Sequence, residues 1–152
     1  MIAADLIETP CSKITLLYDG NFLISLNFRD VKYDCPYIPN IKVRKQLERY
    51  FSGENVKFDF DFDFSSLTTF TAKVLKYILN IPYGKTMAYS DVAKILNTSP
   101  RAVGVAMRIN PLPIFIPCHR VVGLNSLGGY SAGLSIKKCL LSLEKVDLSR
   151  FS

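Results

Sequence analysis

Residues 90–108 read Ser90-Asp91-Val92-Ala93-Lys94-Ile95-Leu96-Asn97-Thr98-Ser99-Pro100-Arg101-Ala102-Val103-Gly104-Val105-Ala106-Met107-Arg108, and they organise the second half of the chain. Ser90 is placed to cap a helix over Asp91–Leu96, with the Asp91 carboxylate close to the partial positive charge of the first turn. Asn97-Thr98 interrupts the pattern. Ser99 then caps a second helix over Arg101–Arg108, and Pro100 takes the first helical position, where its missing N–H is not needed. Two short helices a few residues apart match a helix-turn-helix. The same residues also fit two packed helices of any α-rich domain.

The second of these helices is small on one side, at Ala102, Gly104 and Ala106. Glycine inside a helix costs about 1 kcal/mol relative to alanine, and close approach of another backbone is one reason to accept that. Arg101 lies in the first turn, where a positive charge opposes the helix dipole. Its placement suggests a partner beyond the helix end.

Upstream, Phe70, Val74, Tyr77 and Ile78 are spaced for a helix over Thr69–Leu79 that stops before Pro82. Further back, Ile14–Tyr18 and Phe22–Phe28 flank Asp19-Gly20-Asn21, a hairpin signal. After the loop CPYIPN, Asn40 is placed to cap a helix over Ile41–Phe51 with Val43, Leu47, Tyr50 and Phe51 on one face. Phe58, Phe60, Phe62 and Phe64 alternate with Asp59, Asp61 and Asp63, a period of two that predicts a strand with rings on one side. Composition changes near Ser65, which gives domains over residues 1–64 and 65–152.

Charge follows the same division. Residues 65–152 carry 11 Lys or Arg against three acids, a net of +8, whereas residues 1–64 sum to −2. A basic module facing a polyanion fits this, and so does a generally basic, solvated surface. No apolar run approaches the ~18 residues that span a bilayer. The opening MIAADLIETP holds two acids and no base, unlike a secretory signal, so a cytoplasmic protein is expected. The four cysteines include no CxxC pair and the chain has one histidine, His119, so no metal site is expected. A reducing cytosol disfavours a Cys11–Cys35 disulfide. Cys139, within KKCLLSL, reads as a small core residue.

The chemistry concentrates in Asn110-Pro111-Leu112-Pro113-Ile114-Phe115-Ile116-Pro117-Cys118-His119-Arg120-Val121-Val122. Thiolate is the nucleophilic form of cysteine, and an imidazole neighbour favours it. Adjacent residues of a strand point to opposite faces, so contact between Cys118 and His119 requires a turn or a bridging water. A Cys-His pair by itself is more often structural than catalytic.

The string RAVGVAMRINPLPIFIPCHRVV, with IPYGKTMAYSDVA before it and GGYSAGLSIKKCLLSLE after it, closely resembles the O6-alkylguanine-DNA alkyltransferases, or methylated-DNA–protein-cysteine methyltransferases. The resemblance covers residues 70–144 and its motifs are specific. The first half is similar only in layout. The implied fold is α+β: a small RNase H-like domain of sheet and helix over 1–64, then a helical winged-helix domain over 65–152 that carries the helix-turn-helix and the cysteine. The implied activity is direct-reversal repair. Cys118 would take an alkyl group from O6-alkylguanine in duplex DNA, irreversibly and once per molecule, without a cofactor. O4-alkylthymine stays open as a second substrate. The protein would work as a monomer off the membrane, with cooperative binding along DNA also open.

The resemblance also assigns residues. His119 would deprotonate Cys118 through a water, with Glu144 orienting the imidazole. Tyr89 would donate toward N3 of the departing guanine, and the Ser131 N–H would point at O6. The carbonyls of Cys118 and Val121 would accept from the exocyclic amine. Met107, Pro113 and Tyr130 would wall the pocket, and Asn110 would tie the turn after the recognition helix to the active-site strand. The target base is inaccessible inside a duplex and must flip out. Arg101 would fill its place. Ala102, Gly104 and Ala106 would let the helix lie close in the minor groove, with Arg108 among the basic residues at the phosphates. Without a histidine outside position 119, the zinc site of some members is not expected. Ala132 stands where glycine is common and is expected to tighten the pocket. The Asn97–Pro100 linker is shorter than in some relatives. Rival readings are a non-catalytic winged-helix module that recognises lesions without reacting, and a cysteine hydrolase.

Overall fold

In the computed structural model, which describes residues 1–151, Asp19-Gly20-Asn21 turns the chain between two strands, with Gly20 at φ +59°. The strands are β2 (Lys13–Asp19) and β3 (Phe22–Asn27), and β1 (Ile2–Glu8) pairs with the other edge of β2, giving an antiparallel sheet of order β1-β2-β3. The sequence pattern gives no warning of β1, because Asp5 interrupts its apolar run and is itself buried. Its carboxylate is satisfied from a distance: Arg44 Nε donates at 2.8 Å and the backbone N–H of Asn40 at 2.9 Å. Helix α1 (Ile41–Phe51) begins as its cap predicts, the Asn40 side chain accepting from the Val43 N–H.

The Phe/Asp repeat of residues 58–64 is not a strand. The rings are half-buried and the carboxylates exposed, as a period of two requires, but only one bridge joins the run to the sheet, at Phe22 and Asp61. Gln46 takes up part of the freed backbone instead: its side chain accepts from the Asp59 N–H at 2.6 Å and donates to the Asp59 carbonyl at 3.0 Å. The run therefore keeps the facing of a strand without its ladder.

The chain divides into two compact units, Met1–Asp63 and the part from Phe64 onward. In the second, α2 (Thr69–Ile78) starts at a Thr68 cap. Its buried side is Thr71, Val74, Leu75 and Ile78, while Phe70 is exposed, so the inner face is turned from the expected one. The strand β4 (Met87–Ala88) runs directly into α3 (Tyr89–Ile95). That helix begins two residues before the expected position and lacks a side-chain cap, because its start is set by the strand that feeds it and not by Ser90. Asn97 adopts φ +54° in the turn, and α4 (Pro100–Arg108) follows with Ser99 accepting from the Ala102 N–H and Pro100 at its first position.

A 3-10 turn over Cys118–Arg120 leads into β5 (Val121–Val122), which pairs in parallel with β4. Helix α5 (Leu134–Leu143) closes the unit. Its inner face reads Lys137, Leu140, Leu141 and, just past its end, Glu144, all buried and spaced at three and four residues. Two ionisable groups thus occupy core positions two turns apart. Cys139 is only partly buried, and Cys35 is free, so no Cys11–Cys35 disulfide forms. Among the described residues no helix is long and apolar enough to cross a membrane.

Candidate active site

After α4 the chain turns through Asn110, whose side chain holds two points at once. Its Oδ1 accepts from the Leu112 N–H at 3.0 Å and its Nδ2 donates to the Ile116 carbonyl at 2.9 Å. Between them Ile114 adopts φ +76°, a costly conformation for a β-branched residue, which the surrounding core fixes by burying Leu112, Ile114, Phe115 and Ile116. This braced segment delivers Cys118 to the wall of a cavity of about 460 Å3. Tyr89, Pro100, Arg101, Gly104, Met107, Arg108, Gly129, Tyr130 and Ser131 complete the lining.

The thiol is 4% exposed and lies 3.6 Å from the Tyr130 hydroxyl. Burial pushes its pKa above the ordinary value, while the Tyr130 and Asn110 side chains and the Lys137 charge pull the other way without reversing the shift. The resting form is the thiol, so nucleophilic chemistry here needs a base.

The residue expected to be that base is next door in sequence but faces inward. The 3-10 turn sends His119 into the core, fully buried, with Nε2 2.7 Å from Glu144 Oε2. The other ring nitrogen, Nδ1, is buried with no protein partner. Burial lowers the His119 pKa against the pull of Glu144, which leaves a neutral imidazole at neutral pH. Burial also opposes the charge on Glu144, but bonds and charges from His119 and Arg120 outweigh it and hold the carboxylate well below the usual range.

Arg120 and Lys137 are two buried cations beside the site that the sequence conceals. Counted there as two more surface charges, both are buried. Arg120 donates to both oxygens of Glu144, at 2.9 and 3.0 Å, and to the Ile81 carbonyl at 2.8 Å. The Lys137 ammonium donates to the carbonyls of Val121 at 2.8 Å and Gly129 at 3.1 Å, and stands 5.7 and 5.8 Å from the ring centres of Tyr89 and Tyr130. Burial lowers its pKa to about 8. The spacing of Lys137 and Glu144 with Leu140 and Leu141 is the one sequence signal that marks them as inward-facing.

Other expected residues separate into groups. Tyr89, Met107, Tyr130 and Ser131 meet Cys118 at the cavity, with Arg101 exposed at its border. Burial, with a smaller contribution from Cys118, keeps the Tyr89 phenol above its ordinary pKa and therefore protonated. Arg108 also lines the cavity, so its position is not confined to an outer surface. Pro113 and Val121 are buried and stand outside the lining, and Ala132 does not reach it either. Of the three small residues of α4, Ala106 is 1% exposed and faces the core, which leaves Ala102 and Gly104 at the surface. A β-carbon at Gly104 would meet no atom of the chain within 4 Å, so internal packing does not explain this glycine.

Residues 69–146 match the family model for the DNA-binding domain of 6-O-methylguanine DNA methyltransferase. A methylated-DNA–protein-cysteine methyltransferase of Archaeoglobus fulgidus is 53% identical over 108 residues, covering 67% of this chain and 73% of its own. One from Sulfurisphaera tokodaii is 36% identical over 99% of this chain and 98% of its own. Among solved structures, the Mycobacterium tuberculosis OGT in complex with DNA superposes with a TM-score of 0.85 at 35% identity, over 98% of this chain and 94% of that one. A matched model over more than half the chain, full-length relatives and a shared fold agree: the chain belongs to the 6-O-methylguanine DNA methyltransferase family.

Proposed function

We propose that this protein repairs O6-alkylguanine in duplex DNA by moving the alkyl group onto Cys118. The observation that carries this reading is the placement of the Cys118 sulfur on the wall of an apolar-lined cavity beside α4, with a neutral His119, bonded to the Glu144 carboxylate, next to it in the chain. His119 Nδ1 takes the thiol proton through a solvent molecule, and Glu144 stabilises the imidazolium that forms. The sulfur attacks the alkyl carbon, the carbon–O6 bond breaks, and its electron pair leaves with the guanine. Tyr89 donates a proton toward N3, the Ser131 N–H faces O6, and the proton held by His119 passes through solvent to the Tyr89 phenolate, so that overall the thiol proton leaves on the guanine. The thioether has no leaving group for water to displace, so each molecule acts once and no cofactor is used.

The substrate carbon lies inside the double helix, so the base must flip. Arg101, exposed at the cavity border, replaces it in the stack, and Gly104 leaves room for the DNA backbone. In this reading α3 and α4 are the helix-turn-helix of a winged-helix domain, and residues 1–64 are an RNase H-like domain. The protein works as a monomer on chromosomal DNA in the cytoplasm.

Intact-protein mass spectrometry after mixing with O6-methylguanine duplex tests the proposal. One methyl per molecule on Cys118 is expected. An unchanged mass with DNA bound would favour a lesion-recognition module, and repeated turnover of an ester would favour a hydrolase.

A further inference from the structure

Glu144 is engaged more heavily than an orienting carboxylate needs to be. It takes Arg120 at both oxygens, the Gly84 N–H at 3.0 Å, and His119 at 2.7 Å. We propose that Arg120 is a positioning residue for alkyl transfer: by neutralising Glu144 it keeps His119 a neutral imidazole, with its proton on Nε2 and the Nδ1 lone pair free to receive a proton. This rests on the reading of His119 as the base for Cys118.

An ionised carboxylate only accepts hydrogen bonds, so the nitrogen facing it must carry the proton. Glu144 therefore fixes the tautomer. It does not by itself fix the charge, since a buried carboxylate with no other counterion favours an imidazolium beside it. An imidazolium cannot take the proton of Cys118. Arg120 supplies the missing positive charge in a two-point contact, the geometry guanidinium offers and ammonium does not. Arginine, glutamate and neutral histidine then sum to zero, and a further proton on His119 would give that trio a net positive charge beside the Lys137 ammonium.

Every ionisable group around His119 bears on this balance. From α5 and its end come Lys137 and Glu144, and from its own turn Cys118 and Arg120. From the segment before β4, the ring of Tyr83 lies 6.0 Å from the Arg120 guanidinium. Arg120 and Lys137 both disfavour a charged imidazole, and only Glu144 favours it.

The chain has one histidine, so its imidazole resonances in a 15N NMR spectrum are unambiguous. The wild-type ring is expected to stay neutral and Nε2-protonated between about pH 5.5 and 8, the interval in which an ordinary histidine titrates. In Arg120→Met it is expected to titrate within that interval. Single-turnover transfer should fall roughly ten- to a hundredfold at the acid end, short of removing a general base outright. Arg120→Lys, which keeps charge but not the two-point contact, should lie between the two and provides the comparison if the methionine variant does not fold. A wild-type imidazolium or an Nδ1–H tautomer at neutral pH overturns the proposal, as does an Arg120 variant whose imidazole is unchanged. Failure of the wild type to take a methyl group would reject the assigned function instead, and the spectrum would still decide the role of Arg120.

Discussion

Gly128 is packed against the ring of Tyr89 so closely that a β-carbon at residue 128 would stand 2.6 Å from Cε2 and 2.9 Å from the hydroxyl. The Tyr89 hydroxyl reaches the Gly129 carbonyl at 3.4 Å, and Lys137 holds the same carbonyl. The start of α3 and the loop before α5 are thereby one packed assembly, although residues 89 and 128 are far apart in sequence. The orientation of the phenol at the cavity depends on that loop.

Gly128→Ala should therefore impair both stability and transfer. Its φ of +72° costs a side chain about 1–2 kcal/mol, and the new methyl displaces Tyr89. A melting temperature several degrees lower and a single-turnover rate reduced more than tenfold are expected. Wild-type protein is the reference, because Gly129 itself lines the cavity and a methyl there would enter the space for the base. A single-turnover rate in Gly128→Ala equal to that of the wild type would remove Tyr89 from the mechanism.

Cys118→Ser replaces a thiol by a hydroxyl that the same base ionises far less readily. No methyl adduct should appear in intact-mass spectra, while affinity for O6-methylguanine duplex is retained. Any measurable transfer by the serine variant would count against sulfur as the acceptor.

Arg101 and Arg108 both border the cavity, but they should fail differently. Arg101→Ala should reduce extrusion of the base, read by a fluorescent analogue beside the lesion, more than it reduces affinity for undamaged duplex. Arg108→Ala should lower the slope of log affinity against log salt by about one, the signature of one lost phosphate contact. A parallel fall of both readouts in Arg101→Ala would remove its role in the vacated stack.

What the sequence made legible was local. Asn40 and Ser99 cap their helices because a cap needs only the N–H groups of the next turn. The Phe/Asp alternation gave the facing of residues 58–64, but a ladder needs a partner strand, and Gln46 occupied that backbone first. Strand β1 was hidden by Asp5, whose burial makes sense only once Arg44, 39 residues away, is seen to hold it. Cys118 could be named from its neighbours. Arg120 could not, and Lys137 only through its helical spacing with Leu140 and Leu141, since a count of charges cannot distinguish a solvated cation from one buried against Glu144 or backbone carbonyls.

Acid should unfold this protein in two stages, and the sign follows from the two shifted groups. The folded His119 pKa lies below its ordinary 6.5, so once the pH falls below about 6.5 the unfolded chain binds a proton that the folded chain refuses, and stability declines. The folded Glu144 pKa lies below its ordinary 4.5, so its contribution is complete above that value and is lost as the pH falls further toward the folded pKa. With a single histidine in the chain, no other imidazole contributes to the first stage. The melting temperature of the wild type should drop between pH 7 and pH 5 and more steeply below, measured by calorimetry in matched ionic strength. His119→Gln, which can still donate to Glu144 but does not titrate, should be less stable overall yet nearly flat across the first interval. A wild-type melting temperature that does not change between pH 7 and pH 5 would mean that the folded and unfolded imidazoles take up protons alike, and the buried neutral base would have to be abandoned.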